Sequence, residues 1–516
     1  SSEDAGGVTY DIEKLEYGIG LEFLPVVLSA GRISLKVRTS VSEPTDEASV
    51  MLSGGGDGST FRRPGMTSLS IRKRLADMAY AGRVEPYPYT RLAQETRELF
   101  LRHEGTGPAM ARALALRHVV EHCPLTIEDD RILLGGEDPF FFNILLPALQ
   151  ADAHSRGGQT APDEASDVLR SAGVYMGACF EGHITPGLDD ILSQGIAGIR
   201  ERVAERLEAL GRPSSGPGGP PQDGDKRDFY GAALVCCDAV TRYAERYAQE
   251  ALRRAELTEN TDRAAELRSC AEMLSRVPRR PAATFHEALQ SFWIAYVLVT
   301  LEMGGCCPGG GLGLGRLDQF LYPYYRRDLD AGLLDRAKAL ELLEQFLLSF
   351  RHEDYYTGHQ CYTPGSQASL GGVTTAGAEA SNELTELLME ASLRIAMPAP
   401  YLSVRLHRHA PEHYWQLAAD YILGGLGFPV VNDDVLIPAM LRHGRSLEDA
   451  RDYICSCCYE NTVPGREAFH PNGCYLNLPK VLELALNEGR CLLTGGELGI
   501  PGMSLARMTS FDDVLD

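Results

Sequence analysis

The sequence predicts an α/β protein built on parallel strands. Long amphipathic helices dominate from Met66 onward, and after residue 284 such helices alternate with short apolar runs. A third observation sets the scale: 516 residues with 44% hydrophobic and 23% charged content are enough for a large buried core of ordinary composition. This alternation is shared by barrels and open sheets, so it sets the class and leaves the closure open.

The first ~45 residues read as strand, because "IGLEFLPVVLSAGRISLKVRTSVSE" alternates apolar and polar residues around a Gly-Arg turn. Residues 46–65, with "MLSGGGDGSTFRRPG", form a low-complexity linker that would not fold by itself. Helices are expected at 70–82, 91–103, 107–122, 189–211, 228–256 and 260–276. "GRPSSGPGGPPQDGDK" (211–226) reads as a flexible surface loop between two of them. Beyond it, "TFHEALQSFWIAYVLVTLEM" and "LLDRAKALELLEQFLLSF" read as helices, with "PYLSVRL" (400–406) and "FPVVN" (428–432) as buried strands.

Charge and cysteine usage exclude several classes. A formal net charge of −22 without any Lys/Arg-rich run argues against a nucleic-acid partner. No run of about 18 uninterrupted apolar residues is present to cross a membrane as a helix. The opening "SSEDAGGVTYDIEKLEYG" has neither the basic start nor the apolar core of a signal peptide. Thirteen cysteines, with adjacent pairs at 236–237, 306–307 and 457–458, do not resemble a disulfide framework and fit the reducing cytoplasm.

The stretch "YICSCCYENTVPG" (453–465) concentrates the chemistry. Three readings are open from its residues alone. It could be a buried turn of small thiols. Cys455, Cys457 and Cys458, with His470 or Cys474, could hold a metal, although C-x-C-C without a second knuckle is a poor zinc pattern. Or a reactive sulfur could work with a carboxylate: in extended backbone Cys458 and Glu460 point to the same side, because strand periodicity is two.

A longer pattern surrounds this stretch. Together with "FHPNGCYLNLPKVLELALNEG" it resembles the cysteine-loop region of glycyl radical enzymes, where Gly-Cys-Val-Glu precedes an Asn-Leu-x-Lys-x-Leu-Glu-Leu-Ala-Leu helix. Other segments match in the same order: "PLTIEDDRILLGG" (124–136), "FEGHITPGLDDILSQGIAGIRERV", "FHEALQSFWIAYVLVTLE", "GRLDQFLYPYY", "SVRLHRHAPE", "PVVNDD" and "SLEDARDY". The resemblance covers about residues 66–516. It implies a ten-stranded α/β barrel around a finger loop that carries the active cysteine. It also implies roles, with Cys458 as the thiyl position and Glu460 as the general base. The implied chemistry is hydrogen-atom abstraction from a small hydroxylated substrate followed by 1,2-elimination. No cofactor is expected to be bound. A radical-SAM iron–sulfur activase installs the glycyl radical, and relatives are commonly homodimers.

Two departures qualify the match. Cys457 stands where the usual Gly precedes the cysteine, and adjacent cysteines mark the acyl-transfer enzyme pyruvate formate-lyase. That enzyme lacks the Glu, so Glu460 favours elimination and Cys457 keeps acyl transfer as the alternative. The family's radical-bearing R-V-x-G-Y is also missing from these residues. The barrel is therefore expected to be incomplete at its C-terminus, or to work with a separate glycyl-radical subunit, and to be inactive alone.

The resemblance also implies weaker substrate contacts. His183, Tyr475 and Asn472 match positions where relatives place substrate-contacting groups, and Tyr362 and Ser366 are candidates for the substrate mouth. A His closing a turn is an equal reading for His183. In "PVVNDD" a helix N-cap role is expected for one of Asn432, Asp433 and Asp434. No metal ligands are expected. Residues 1–45 have a different likeness, to the β-domain of outer-membrane secretins. They are read as a leader fused to the larger protein, whose natural start would be Met66.

Overall fold

The computed structural model describes residues 18–29, 32–42, 90–103, 106–136, 144–145, 164–177, 183–210, 222–303, 311–350, 366–395, 400–426, 429–456, 460–467, 474–499, 507–510 and 512. The chain divides into two compact units, Ser1–Phe61 and Arg62–Asp516. In the first, β1 (Gly18–Ser29) and β2 (Arg32–Ser42) pair antiparallel, with Phe23 opposite Val37, as the alternating pattern predicts.

The described part of the second unit begins with α1 (Thr90–Arg102), α2 (Pro108–His122) and α3 (Glu164–Ser171), then two short strands, β3 (Tyr175–Gly177) and β4 (His183–Ile184). The helix expected at 70–82 lies outside the described residues. Next come α4 (Asp189–Ala209), α5 (Gln222–Leu257) and α6 (Thr261–Arg276). The start of α5 corrects the loop expected to run to residue 226. One Gly in the first turns costs about 1 kcal/mol, which a helix of 36 residues absorbs. Arg227 also ties this end down by donating to the Leu210 carbonyl.

The helix α7 (Phe285–Glu302) is buried on nearly every side, as its almost uninterrupted apolar sequence demands. Thr284 caps it, its hydroxyl accepting from the Glu287 N–H at 3.1 Å. The sheet strands come next, among further helices: β5 (Gly311–Gly315), α8 (Leu317–Phe320), α9 (Tyr322–Asp330), α10 (Arg336–Leu348), β6 (Ser366–Gly371), α11 (Glu383–Ile395), β7 (Tyr401–Leu406), α12 (Glu412–Leu423) and β8 (Val430–Asn432). Strands β4 to β8 form one sheet in sequence order, every pair parallel. This is the α/β class with parallel strands that the alternation predicts.

The two faces of this sheet differ in chemistry. Leu312, Leu314, Ala368, Leu370, Leu402, Val404 and Leu406 join the main apolar core, which includes Phe292, Tyr296, Phe346 and Leu388 from α7, α10 and α11. The alternate positions are Gly313, Gln367, Ser369, Ser403 and Arg405. The four with side chains are also buried, at 0% exposure. A buried polar face needs a polar partner, because each unpaired group forfeits the hydrogen bonds it made to water. That partner comes from the segment after α13 (Asp433–Arg442) and α14 (Leu447–Arg451): the strands β9 (Ile454–Ser456) and β10 (Glu460–Thr462). The chain then continues through β11 (Cys474–Leu476), which pairs antiparallel with β3, into α15 (Leu478–Leu486).

Candidate active site

Strands β9 and β10 pair antiparallel, with Ser456 opposite Glu460, Cys455 opposite Asn461 and Ile454 opposite Thr462. The pair is docked on the polar face of the sheet at three points. The Cys455 N–H donates to Ser369 Oγ at 3.0 Å, and Ser369 Oγ in turn shares a 2.6 Å hydrogen bond with Ser403 Oγ. Thr462 Oγ1 lies 2.7 Å from Thr185 Oγ1, just past β4. Ile454 packs directly over Gly313, where a Cβ would come within 2.7 Å of the Ile454 Cδ1. Tyr453, Ile454, Cys455, Ser456 and Thr462 are all buried. The finger loop implied for the cysteine stretch is flanked by strand, at Ile454–Ser456 and Glu460–Thr462.

A buried charge network holds the entry to β9. Arg405 and Asp433 form a two-pronged ion pair, Nε to Oδ1 at 3.0 Å and Nη2 to Oδ2 at 2.9 Å. The Tyr453 hydroxyl donates to Asp433 Oδ1 at 2.7 Å, and the guanidinium lies 4.0 Å from the Tyr453 ring centroid. Arg405 also donates to the carbonyls of Tyr453 and Arg451, at 2.8 and 2.9 Å. Nearby, Arg316 donates to the Gly371 carbonyl at 2.8 Å, and Asp318 accepts from the Gly371 N–H and the Thr385 hydroxyl at 2.7 Å each. Burial, with the Arg405 charge beside it, pulls the Arg316 guanidinium down to about 10. Burial pushes the Asp318 carboxyl up.

Cys455 is the buried thiol that opens the cysteine cluster. Burial pushes its thiol up to about 12, and the charge of Glu460 adds to the shift. A thiol with that titration stays protonated near neutrality.

Of the other site residues predicted from sequence, the described ones fall on separate strands. Glu460 opens β10 and is half-buried. Cys457, Cys458, Asn472 and Tyr362 lie outside the described residues. His183 lies on β4, its backbone opposite Gly311, two residues before the Thr185 that touches the hairpin. Tyr475 lies on β11 with its backbone opposite Met176, in a separate two-stranded sheet. Ser366 shares the apolar face of β6 with Ala368 and Leu370, its hydroxyl 3.0 Å from that of Tyr296 on α7. The expected mouth position for Ser366 thus meets a core contact instead. Asn432 caps α13 by accepting from the Asp434 N–H at 2.9 Å, the cap role expected for one of the three residues.

Arg405 and the pairing role of Asp433 escape a reading by motif alone. A usable signal is present, however. Arg405 interrupts an apolar strand that is buried on both faces, and a buried guanidinium requires a carboxylate. "VVNDD" at the end of the neighbouring strand supplies one.

Comparison with known proteins agrees with this geometry. The model of the pyruvate formate lyase-like family matches residues 141–516. The isethionate sulfite-lyase of Bilophila wadsworthia is 33% identical over 402 residues, covering 75% of this chain and 47% of the relative. The (2S)-3-sulfopropanediol dehydratase of Klebsiella oxytoca is 33% identical over 365 residues, covering 69% and 43%. The chain therefore spans about half the length of the curated relatives it matches. Among solved structures, the glycerol-bound B12-independent glycerol dehydratase from Clostridium butyricum aligns with a TM-score of 0.67 at 27% identity, covering 82% of this chain and 58% of that one. A structure for 1,2-propanediol dehydration in Roseburia inulinivorans aligns with a TM-score of 0.71 at 26% identity, covering 86% and 60%. With the ordered motifs, the parallel sheet and the docked cysteine hairpin in agreement with the family match, the chain belongs to the pyruvate formate lyase-like family.

Proposed function

We propose that this chain is the barrel of a glycyl radical lyase or dehydratase that carries out 1,2-elimination on a small hydroxylated substrate. The observation that carries the reading is the hairpin β9–β10, buried on the polar face of the sheet with Glu460 at its mouth, opposite Ser456. The dehydratases and lyases among its relatives support the same reading. The five parallel strands are taken as part of the family's ten-stranded barrel. The chemistry resides in residues 66–516, and the secretin-like β fragment (1–45) and the linker (46–65) take no part in it.

The burial of Ile454, Cys455 and Ser456 suits a radical site, which must exclude solvent and oxygen. A glycyl radical, installed by a radical-SAM iron–sulfur activase on a glycine outside residues 1–516, supplies the unpaired electron that makes Cys458 a thiyl. That glycine lies either further along the same chain or on a separate subunit. Cys458 Sγ takes a hydrogen atom from the substrate C–H beside a hydroxyl, so an S–H bond forms as the C–H bond breaks. The two bonds are close in strength, and the step needs mainly positioning. Glu460 accepts the hydroxyl proton, and the ketyl-like radical expels the neighbouring leaving group with its bonding electron pair. Return of the hydrogen atom from Cys458 completes the carbonyl product and restores the thiyl. In this reading Cys457 takes no chemical part. The same reading places the enzyme in an anaerobic cytoplasm, as a homodimer served by its activase.

The test is anaerobic activation with the activase and the radical-bearing glycine restored. Turnover is then assayed on glycerol, propane-1,2-diol, isethionate, 3-sulfopropanediol and 4-hydroxyproline, with the carbonyl product as readout. Cys458→Ala is expected to abolish turnover while the glycyl signal still forms. Glu460→Gln should lower turnover about 10²–10⁴-fold, and Cys457→Ala only modestly. A Glu460→Gln enzyme with normal rates beside a dead Cys457→Ala enzyme would overturn elimination in favour of acyl transfer.

A further inference from the structure

Gln367 is the unexplained group on the polar face of the sheet. On that face Ser369 and Ser403 bond each other, and Arg405 bonds Asp433. The Gln367 side chain is 0% exposed, yet neither Nε2 nor Oε1 has a hydrogen-bond partner. On β9, Ser456 Oγ is likewise buried and unpartnered.

The hairpin register places Gln367 toward the mouth of β9–β10. Arg405, the strand partner of Gly371, holds the Tyr453 carbonyl, and Ser369 holds the Cys455 N–H. Strand β9 thus runs along β6 from the level of Gly371 past that of Ser369. Gln367 is the next residue on the same face in that direction, toward the end of the hairpin where Ser456 and Glu460 are opposed. A primary amide offers two donors and two acceptor lone pairs. Leaving all of them unmet in a buried place is a cost that folding does not recover and that a polar ligand can.

We infer that Gln367 is a substrate-contact residue, its Nε2 donating to an oxygen of the substrate's polar substituent and its Oε1 accepting from a substrate hydroxyl. The ligand class is a small polyol or a hydroxylated acid, with a hydroxyl and a second oxygen-bearing group on adjacent carbons. The assignment rests on the elimination reading and adds the group that orients the substrate for Cys458 and Glu460.

The opposite signs expected for binding and stability make the test sharp. In the unactivated 516-residue chain, binding of each substrate in the turnover panel is read by calorimetry or saturation-transfer NMR. Gln367→Met keeps the length and removes the amide. It should bind the favoured compound roughly tenfold more weakly or worse, while its ligand-free Tm stays the same or rises. A variant that binds as the wild type does, or that melts several degrees lower or fails to fold, overturns the assignment, as does a wild-type chain that binds no panel compound. In the activated enzyme the same change should raise KM with a smaller effect on kcat. If the wild type binds a panel compound through Gln367 but releases no carbonyl product once activated, the elimination chemistry falls and the contact stands.

Discussion

Arg405 and Asp433 are 0% and 2% exposed at their side chains, a placement that forfeits several kcal/mol of hydration per ion. The loss is offset because nearly every polar atom of the pair is used: the carboxylate also takes the Tyr453 hydroxyl and the Val373 N–H, and the guanidinium takes two carbonyls. Removing one charge leaves the other buried and unpaired. Asp433→Asn is therefore expected to destabilise the larger unit by about 3–5 kcal/mol, read as a lowered urea midpoint. An unchanged midpoint would mean that the pair does not anchor β9. The two charged partners stand in the family motifs "SVRLHRHAPE" and "PVVNDD". The need for a buried carboxylate is legible there, but which one answers Arg405 is not, because that depends on two adjacent parallel strands ending at the same level.

At the scale of elements, Gly313 sets how closely the hairpin approaches the sheet. A Cβ there would meet Ile454 Cδ1 at 2.7 Å and Thr185 Cγ2 at 2.9 Å, and Thr185 is β-branched and already committed to Thr462. Gly313→Ala should cost about 1–3 kcal/mol by overpacking and should lift β9 from β6. A fall in thermal stability together with faster hydrogen exchange at the Cys455 amide would record this, whereas unaltered exchange would contradict it. The α10–α11 contact carries a separate, pH-dependent strain. Burial pushes the Glu344 carboxyl from 4.5 up to about 7, only partly countered by Arg394, 3.7 Å away. Because the folded value is the higher one, the proton-linked stability is full below about 4.5 and is lost as pH rises through 7. Glu344→Gln should thus be the more stable form at pH 8.5, and lowering the pH to 6 should return about 1 kcal/mol to the wild type relative to the variant. Parallel melting curves at the two pH values check the sign.

For the whole molecule, 13 of its residues are cysteines and 53 are glycines, yet none of the glycines sits in R-V-x-G-Y. The expected outcome of treating residues 1–516 alone with an activase, S-adenosylmethionine and a reductant is no glycyl doublet in the EPR spectrum. A doublet arising from these residues would relocate the radical to a glycine that the family pattern does not mark. Among the described residues no helix is long and apolar enough to cross a membrane, although α7 is apolar along nearly its whole length. Its 18 residues are instead covered by protein: Tyr296 by Phe350 and Ser366, and Trp293 by the Gly135 carbonyl.

What the sequence alone determined was local or periodic: the helices, the two-residue alternation of β1–β2, the apolar run of β7, a helix cap within "VVNDD" and the ordered motifs of the family. These depend on neighbours within a few positions, where spacing in the chain is spacing in space. The tertiary structure decided which face of each strand does what. Ser366 and Gln367 are adjacent in sequence, and both are polar. The strand pleat turns the first to Tyr296 in the core and the second to the hairpin face, and the register between β6 and its partners decides which is which. It likewise made Cys455 a buried thiol and Asp433 the counter-ion of Arg405. Burial and pairing of that kind come from segments tens to hundreds of residues apart, and no window of the sequence contains them.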